Sequence, residues 1–229
     1  MTGTIINVLA ILGAGFVGLL LGKGIPKNIS QTIEDGLGIL VLIIGIQYAL
    51  KADSLAIVGI SLALGAIIGE VRAWETRLDK VGNLLQSRFS QGEDNQFVKG
   101  FVSASLLFCV GAMAVIGALE DGLTGNYQIL LIKSILDGIF ALIFAASMGI
   151  GVLFSAIPVL IYQGSISLAS TLIKPILTDP MLNNITALGG VLIAALGLNI
   201  IGITKIKVAN LLPGIVVVPI IMAIYALIF

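Results

Sequence analysis

The chain is a succession of long apolar stretches separated by short polar segments, and this pattern limits its fold more than any other feature. A helix needs about 20 mostly apolar residues to cross the hydrocarbon core of a bilayer. The stretches run from Thr4 to Gly22, Gly36 to Leu50, Leu55 to Gly69, Phe101 to Leu119, Leu130 to Ile173, Asn184 to Ile203 and Val208 to Phe229. We therefore predict an all-α fold, a polytopic bundle of transmembrane helices.

Composition excludes a soluble domain and several classes of function. Hydrophobic residues make up 58% of the 229 positions and charged residues 10%, whereas a soluble domain has about 45–50% and about 25%. The formal net charge is zero and histidine is absent, so the chain lacks the basic excess of nucleic-acid-binding proteins and the commonest general base. We expect one membrane domain over residues 1–229 in a lipid bilayer, with no nucleic-acid partner, no metal or other cofactor and no enzymatic activity.

The stretch from Leu130 to Ile173 is too long for one span, and it decides the predicted topology. Gly149, Gly151, Ser155 and Pro158 lie near its middle. Proline removes a backbone donor and clashes with the preceding turn, so a helix breaks or kinks there. Two spans in this stretch give eight in all, and one kinked span with a re-entrant segment gives seven.

Basic residues favour eight spans, because short cytoplasmic loops collect lysine and arginine. Eight spans place nine of them on one side: Lys23, Lys27, Arg72, Arg77, Lys80, Arg88, Lys99, Lys205 and Lys207. The other side then holds Lys51, Lys133 and Lys174. With seven spans, Lys174 joins the first side, and Lys205 and Lys207 join the second. The basic residues are then divided eight against four. We expect both termini outside the cell membrane.

One substantial polar segment, residues 71–99, interrupts the apolar stretches. Its apolar side chains recur at helical spacing among charged ones: Trp74, Leu78, Val81, Leu85 and Phe89. This pattern predicts an amphipathic helix in the cytoplasmic interface, followed by a flexible joint over residues 90–96. A plain solvated loop is the simpler interpretation, and a docking site for a partner is the more specific one.

A weak internal repeat links the two ends of the chain. Gly38 and Gly45 recur as Gly190 and Gly197, 152 positions later (190 − 38 = 152), and Gln47 recurs as Asn199. With eight spans the repeated unit, spans one to three and six to eight, would have inverted direction, as in many secondary transporters. Glycine is common here, so a chance alignment is the alternative.

Few polar side chains lie inside the apolar stretches, and each needs a reason because polar groups are costly in hydrocarbon. Lys133 and Asp137, at i and i+4, share a helix face and could form an ion site or an interfacial ion pair. The amides Gln47 and Asn199 could line a pathway or only bond neighbouring helices. The remaining candidates lie at predicted helix breaks that could expose carbonyl groups or serve packing: Gln163, Asn210 and Pro213.

Small residues at helical spacing predict close helix packing rather than nucleotide binding. The G-x-G-x-x-G pattern at the start of the chain lies inside a span with no strand before it. The predicted packing glycines are Gly13, Gly15, Gly18, Gly22, Gly65 and Gly69. Such faces can join helices within one chain or between the chains of a homodimer.

Several strings in the chain resemble a known family. They are Gly65-Ala-Ile-Ile-Gly-Glu70, Asp121-Gly-Leu-Thr-Gly125, Lys133-Ser-Ile-Leu-Asp137, Ile157-Pro-Val159 and Ile206-Lys-Val-Ala-Asn-Leu-Leu-Pro213. Together they resemble the bacterial family called domain of unknown function 554, or YqgA-like, over nearly the whole chain. The resemblance implies a multi-span protein of the bacterial inner membrane, of a kind often labelled as a transport protein, and it assigns no functional residues.

These observations favour one function over two others. The first is a small transporter or channel that moves an ion or a small polar solute across the bacterial inner membrane. The second is a membrane scaffold or sensory protein that binds a partner through residues 71–99. An intramembrane enzyme is less favoured, because no nucleophile with a neighbouring base is evident.

Overall fold

The computed structural model of the chain describes residues 1–22, 26–77, 80, 96–109, 112–175 and 177–228. All helices named below lie in this described part. They are α1 Thr2–Gly22, α2 Lys27–Ala49, α3 Leu55–Val71, α4 Gln96–Cys109, α5 Ala112–Thr124, α6 Gln128–Met148, α7 Gly151–Phe154, α8 Ala156–Leu168, α9 Ser170–Ile173, α10 Asp179–Ile200, α11 Val208–Leu211 and α12 Pro213–Ile228. No strand occurs among the described residues, so the predicted all-α fold is confirmed for them.

Five of these helical segments are long and apolar enough to cross a membrane. They are Thr2–Gly22, Gln31–Ala49, Gln128–Met148, Gly151–Leu168 and Asp179–Ile200. The pair α4 and α5, bent by 61°, would be a sixth as one broken span. Two shorter apolar helices, Leu55–Val71 and Val208–Ile224, also lie in the described part. The fold therefore has five or six candidate membrane spans, and the count of eight stays a prediction.

The chain divides into two compact units. The first unit comprises Met1–Asp35 and Gly82–Ile176, and the second comprises Gly36–Val81 and Leu177–Phe229. Each unit combines two segments that are separated in the sequence. Each therefore depends on helix contacts between residues far apart in the sequence.

In the first unit, α1 packs lengthwise against α6 in the same direction. Gly18 lies against the backbone of Leu142, and one turn later Gly22 lies against the backbone of Ala146. A side chain at either glycine would collide with that backbone, so glycine permits the close approach. The packing role predicted for these glycines agrees with this arrangement.

The long apolar stretch forms two helices that run in opposite directions. α6 ends at Met148, and Gly149 follows with a φ of 81°, a left-handed conformation that glycine adopts without strain. On the far side of this turn, Leu153 lies against Gly15 while Gln163 bonds Asn7. From Leu153 to Gln163 the residue numbers rise, whereas their contacts on α1 fall from Gly15 to Asn7. α8 is therefore antiparallel to α1.

Two predicted helix breaks in this region differ from the structure. Pro158 lies in the first turn of α8, where a proline leaves no helix hydrogen bond unmade. α8 then continues from Ala156 to Leu168 without interruption, so Gln163 lies within a regular helix and not at a break. The reversal takes place at Gly149, the first of the residues named at the predicted division.

In the second unit, glycines bring two pairs of helices into backbone contact. On α2 and α10, Gly38 faces Gly197 and Gly45 faces Gly190, so the two helices are antiparallel. On the other pair, Gly65 of α3 lies against Gly214 at the start of α12, and Gly69 lies against Asn210 of α11. The packing role predicted for Gly65 and Gly69 agrees with these contacts.

Polar residues define where the helices of the second unit begin. The hydroxyl of Ser54 accepts a hydrogen bond from the Ile57 N–H at 3.4 Å, and that of Thr178 accepts one from Met181 at 3.3 Å. Serine and threonine are favoured at this position because they satisfy backbone donors that the helix leaves unpaired. The side chain of Asn184 also accepts a bond from the Ser54 N–H at 3.0 Å, which fastens the turn before α3 to α10.

Two sequence predictions are not matched by described contacts. An added Cβ at Gly13 would meet nothing within 4 Å, so this glycine is not in a close helix contact. Most of the predicted amphipathic segment, including Leu78, Val81, Leu85 and Phe89, lies outside the described residues. Trp74 is described, and it is 41% exposed.

Candidate functional site

Four polar side chains meet in the interior of the first unit. They are Asn7 on α1, Lys133 and Asp137 on α6, and Gln163 on α8, and we call them the Asp137 cluster. Their exposed fractions are 0%, 6%, 5% and 0%. A charged pair and two amides shielded from the surroundings are expensive in an apolar bundle, so the cluster is the first candidate for function.

The packing of the helices positions the cluster. The four-residue spacing of Lys133 and Asp137 places both on one face of α6. The parallel contact of α1 with α6 then brings Asn7 opposite Asp137, while the antiparallel α8 supplies Gln163 from the third side. Three helices thus converge on one point, and α1 is far from the other two in the sequence.

The lysine and the aspartate form a close ion pair. The Nζ of Lys133 lies 2.8 Å from Oδ1 and 2.6 Å from Oδ2 of Asp137. The Nδ2 of Asn7 donates to the same Oδ2 at 2.9 Å. Because two buried charges are well stabilised only together, removing one partner of such a pair typically costs about 3–5 kcal/mol.

The amides of the cluster are only half satisfied. The Nδ2 of Asn7 also donates to the Oε1 of Gln163, over a long 3.3 Å. The Oδ1 of Asn7 and the Nε2 of Gln163 have no hydrogen-bond partner among the described residues. The carboxylate can only accept, so the nitrogen of Asn7 must face it, and this orientation leaves its oxygen unpaired. The site therefore offers one acceptor and one donor to a further polar group.

A second polar group lies near the start of α1. The carboxylate of Asp121, 4% exposed, accepts a hydrogen bond from the Gly3 N–H at 3.0 Å and lies 3.0 Å from the ammonium of Met1. An anion is favourable at this end of a helix because the first N–H groups have no partner in the helix. Its Oδ1, and the hydroxyl of the buried Thr4, have no partner among the described residues.

Two further buried polar residues of the first unit, Asn7 and Glu34, are not among the residues that the sequence singles out. Asn7 is the only amide side chain in the first apolar stretch, which was an available signal. Glu34, 3% exposed, pairs with Lys99 at 2.8 Å in the same unit. Glu34 precedes the second apolar stretch, and no local pattern in the sequence indicates that its partner lies 65 residues away.

The predicted amides of the second unit are not brought together. α2 and α10 are antiparallel, so Gln47 and Asn199 lie toward opposite ends of the helix pair. Gln47 is exposed. Asn199 folds the loop after α10: its Nδ2 donates to the Ile206 carbonyl at 2.8 Å, and its Oδ1 accepts from the Ile206 N–H and the Thr204 hydroxyl. This bonding gives Asn199 a structural role.

Asn210 connects the end of α3 to the start of α11. Its Nδ2 donates to the carboxylate of Glu70, and its Oδ1 accepts from the Glu75 N–H at 2.7 Å. Lys207 lies 2.7 Å from the other Glu70 oxygen, and this hydrogen bond and the charge of Glu70 raise the pKa of the lysine. Asn210 thus belongs to a network that joins two segments of the second unit.

The predicted interruption at Pro213 is narrow. Leu212, between α11 and α12, has helical dihedral angles of −53° and −37°. Its N–H bonds the Ala209 carbonyl at 3.2 Å, and its carbonyl accepts from Ile215 at 3.0 Å. Both bonds join residues three positions apart, so the backbone at Pro213 forms one tight turn of the 3₁₀ type, and the helix is not unwound there.

A groove of about 400 Å³ lies between α1 and α6. Its lining includes Leu9, Gly13 and Ile139 and is almost wholly apolar. The hydroxyl of Ser134, also in the lining, bonds the Leu130 carbonyl of its own helix at 2.6 Å. This lining suits a hydrocarbon chain and offers no free polar group to a solute, so the Asp137 cluster remains the candidate polar site of this unit.

Among the described residues, no three His, Cys, Asp or Glu side chains could share a metal ion.

Comparison with known proteins identifies the family. The chain is 36% identical over 216 residues to the uncharacterized protein YqgA of Escherichia coli (strain K12), covering 93% of this chain and 92% of that one. It is 32% identical over 225 residues to the uncharacterized membrane protein YdfK of Bacillus subtilis (strain 168), covering 96% and 95%. No solved structure matches the chain. The family model described as protein of unknown function (DUF554) matches residues 2–223, and the chain belongs to this family.

Proposed function

We propose that the protein is a small transporter or channel that moves an ion or a small polar solute across the bacterial cell membrane, with the Asp137 cluster on its pathway. One observation carries the proposal. A buried ion pair is joined to two amides that keep an unused acceptor and an unused donor. Ionisable residues among membrane helices are rare, and they commonly mark the route of an ion or solute.

A purely structural cluster would have a different bonding pattern. Buried polar groups that serve packing are almost always hydrogen-bonded, because an unpaired one costs about 1–3 kcal/mol. Asn199 has this pattern, with both polar atoms of its side chain bonded. Asn7 and Gln163 lack it. A ligand that passes through the site would supply the missing partners.

Eight spans agree with the direction of helix packing. α2 is antiparallel to α10, so an odd number of steps must separate them in the order of spans. If α4 and α5 together form one broken span, α2 is the second and α10 the seventh. With seven spans, in which Leu130 to Ile173 crosses once and includes a re-entrant segment, α10 becomes the sixth, which would make it parallel to α2. The antiparallel contact of Gly38 with Gly197 therefore favours eight spans over seven.

An inverted repeat agrees with the glycine contacts of the second unit. In the repeat, Gly38 corresponds to Gly190 and Gly45 to Gly197, each 152 positions apart. The observed contacts are Gly38 with Gly197 and Gly45 with Gly190. If each glycine is replaced by its counterpart in the repeat, the contact of Gly38 with Gly197 becomes the contact of Gly190 with Gly45. A two-fold axis relates contacts in this way. Inverted repeats are common in secondary transporters, where they provide two related packings of one scaffold.

Flux through reconstituted protein tests the proposal. The full-length chain in liposomes is assayed with cations, anions and small metabolites, in parallel with Asp137→Asn and with Asp53→Asn. Asp53 is an exposed carboxylate that bonds Asn183 in the second unit, so it controls for the loss of a charge. We expect at least about tenfold lower flux for Asp137→Asn and unchanged flux for the control. Folded protein that moves no solute, or flux that Asp137→Asn leaves intact, contradicts the proposal.

A further inference from the structure

We infer that the solute recognised at the Asp137 cluster is a small molecule without net charge that carries hydrogen-bond donors and acceptors side by side, such as a zwitterionic amino acid or a small amide. This inference rests on the proposed function and names its substrate class. Its basis is the charge of the cluster together with the two unused polar atoms of its amides.

The charge of the cluster disfavours a lone ion. Lys133 and Asp137 neutralise each other, and their atoms lie 2.6–2.8 Å apart. A single cation or anion entering this apolar interior would leave one charge in excess, and an uncompensated charge is very costly there. A neutral molecule or a zwitterion adds none. A zwitterion could also present its carboxylate to Lys133 and its ammonium to Asp137.

The unused atoms require a ligand with both kinds of polar group. Asn7 offers an acceptor, its Oδ1, and Gln163 offers a donor, its Nε2. A bare cation would satisfy only the acceptor, and a bare anion only the donor. A molecule with adjacent donors and acceptors satisfies both, as one carboxamide does when it pairs with another.

The direct bond between the two amides marks where such a ligand would insert. At 3.3 Å, the contact from Asn7 to Gln163 is the longest of the cluster, and it joins α1 to α8. Two facing carboxamides can make two hydrogen bonds, and here they make one. Separating α1 from α8 at this point would present the four polar atoms of the two amides to an incoming solute.

The test combines uptake with a measurement of current in proteoliposomes of the full-length chain. The probes are glycine, L-alanine, urea and acetamide on one side, and Na⁺, K⁺ and Cl⁻ on the other. We expect uptake of at least one of the four neutral probes without current. We expect Gln163→Leu, which keeps a similar volume but removes both polar atoms, to lower that uptake about tenfold.

Ser134→Ala is the matched control, because its buried hydroxyl is already bonded within α6 and lines the apolar groove. Uptake by this variant should stay within about twofold of the unmodified protein, and size-exclusion profiles should show that all variants are folded. Current carried by an inorganic ion, with no uptake of the four neutral probes, overturns the substrate class and leaves transport standing. Folded protein that moves none of the seven probes overturns the substrate class as stated, and the proposed function is then decided by its own broader panel.

Discussion

Lys133 contacts both carboxylate oxygens of Asp137, one turn later on the same helix, and each side chain of the pair is 7% exposed. Both charges are therefore held in an interior that would tolerate neither alone. Asn7, from a helix 130 residues away in sequence, stabilises the carboxylate further. The consequences for stability and for flux can be separated by substitution.

Replacing both charged residues should harm stability less than replacing one. Lys133→Met leaves a buried carboxylate without its cation, and we expect it to lower the free energy of unfolding by about 3–5 kcal/mol. The double variant Lys133→Met with Asp137→Leu removes both charges and should recover most of that loss in stability, while its flux stays at least about tenfold below that of the unmodified protein. Thermal unfolding in detergent measures the first effect and liposome flux the second. Losses that simply add in the double variant would contradict a coupled pair.

The close approach of α1 to α6 provides a prediction with an internal control. Gly18→Ala places a methyl group against the backbone of Leu142, and we expect it to destabilise the protein by about 1–3 kcal/mol, the usual cost of overpacking. Gly13→Ala, one and a half turns earlier on α1, meets nothing within 4 Å. It should be neutral or stabilising by up to about 1 kcal/mol, because alanine favours a helix over glycine. Unfolding temperatures that change equally would contradict the packing.

Most of the helical fold could be predicted from the sequence, because hydrocarbon forces the backbone to satisfy its own hydrogen bonds. The apolar stretches therefore correspond closely to described helices. The sequence also predicts the division of Leu130 to Ile173 and names Gly149 and Pro158 near it; the reversal takes place at Gly149, whereas Pro158 fits the first turn of α8 without a break. The reversal at Gly149 depends on a positive φ. A glycine permits this conformation, but its presence in the sequence does not show that the conformation is adopted.

The candidate site was predicted only in part. Lys133 and Asp137 were linked by their helical spacing, a local property that sequence reveals. Asn7 and Gln163 join them only through the packing of α1, α6 and α8, which no local pattern encodes. Conversely, Asn199 looked functional because of its place in a repeat, yet it bonds the loop after its own helix. A polar residue in an apolar stretch signals a need for partners, and the fold decides whether the chain supplies them all.

The close crossing of α2 and α10 predicts coupled effects at two positions that are far apart in the sequence. Gly45→Ala would press on the backbone of Ala194, and Gly190→Ala on that of Ala49. Because the two glycines face each other in one helix crossing, we expect similar losses of about 1–3 kcal/mol. The double variant should lose less than the sum, since one separation of the helices relieves both clashes.

Gly36→Ala is the control for this crossing, because an added Cβ at that position meets nothing within 4 Å. Its unfolding temperature should stay close to that of the unmodified protein. Strongly unequal losses at Gly45 and Gly190 would contradict the mutual close approach of these two glycines. Additive losses would instead contradict their direct contact.

Cysteine labelling tests the eight-span topology, and one loop distinguishes it from seven spans. With Cys109→Ala as background, Asp53→Cys and Asn126→Cys should react with an impermeant thiol reagent in intact cells under either count. With eight spans, Lys205→Cys lies in the cytoplasm and should react only after the cells are made permeable. With seven spans, the loop after α10 faces outward, so Lys205→Cys would react at once. Labelling of Lys205→Cys in intact cells would therefore contradict eight spans, and with them the inverted direction of the repeat.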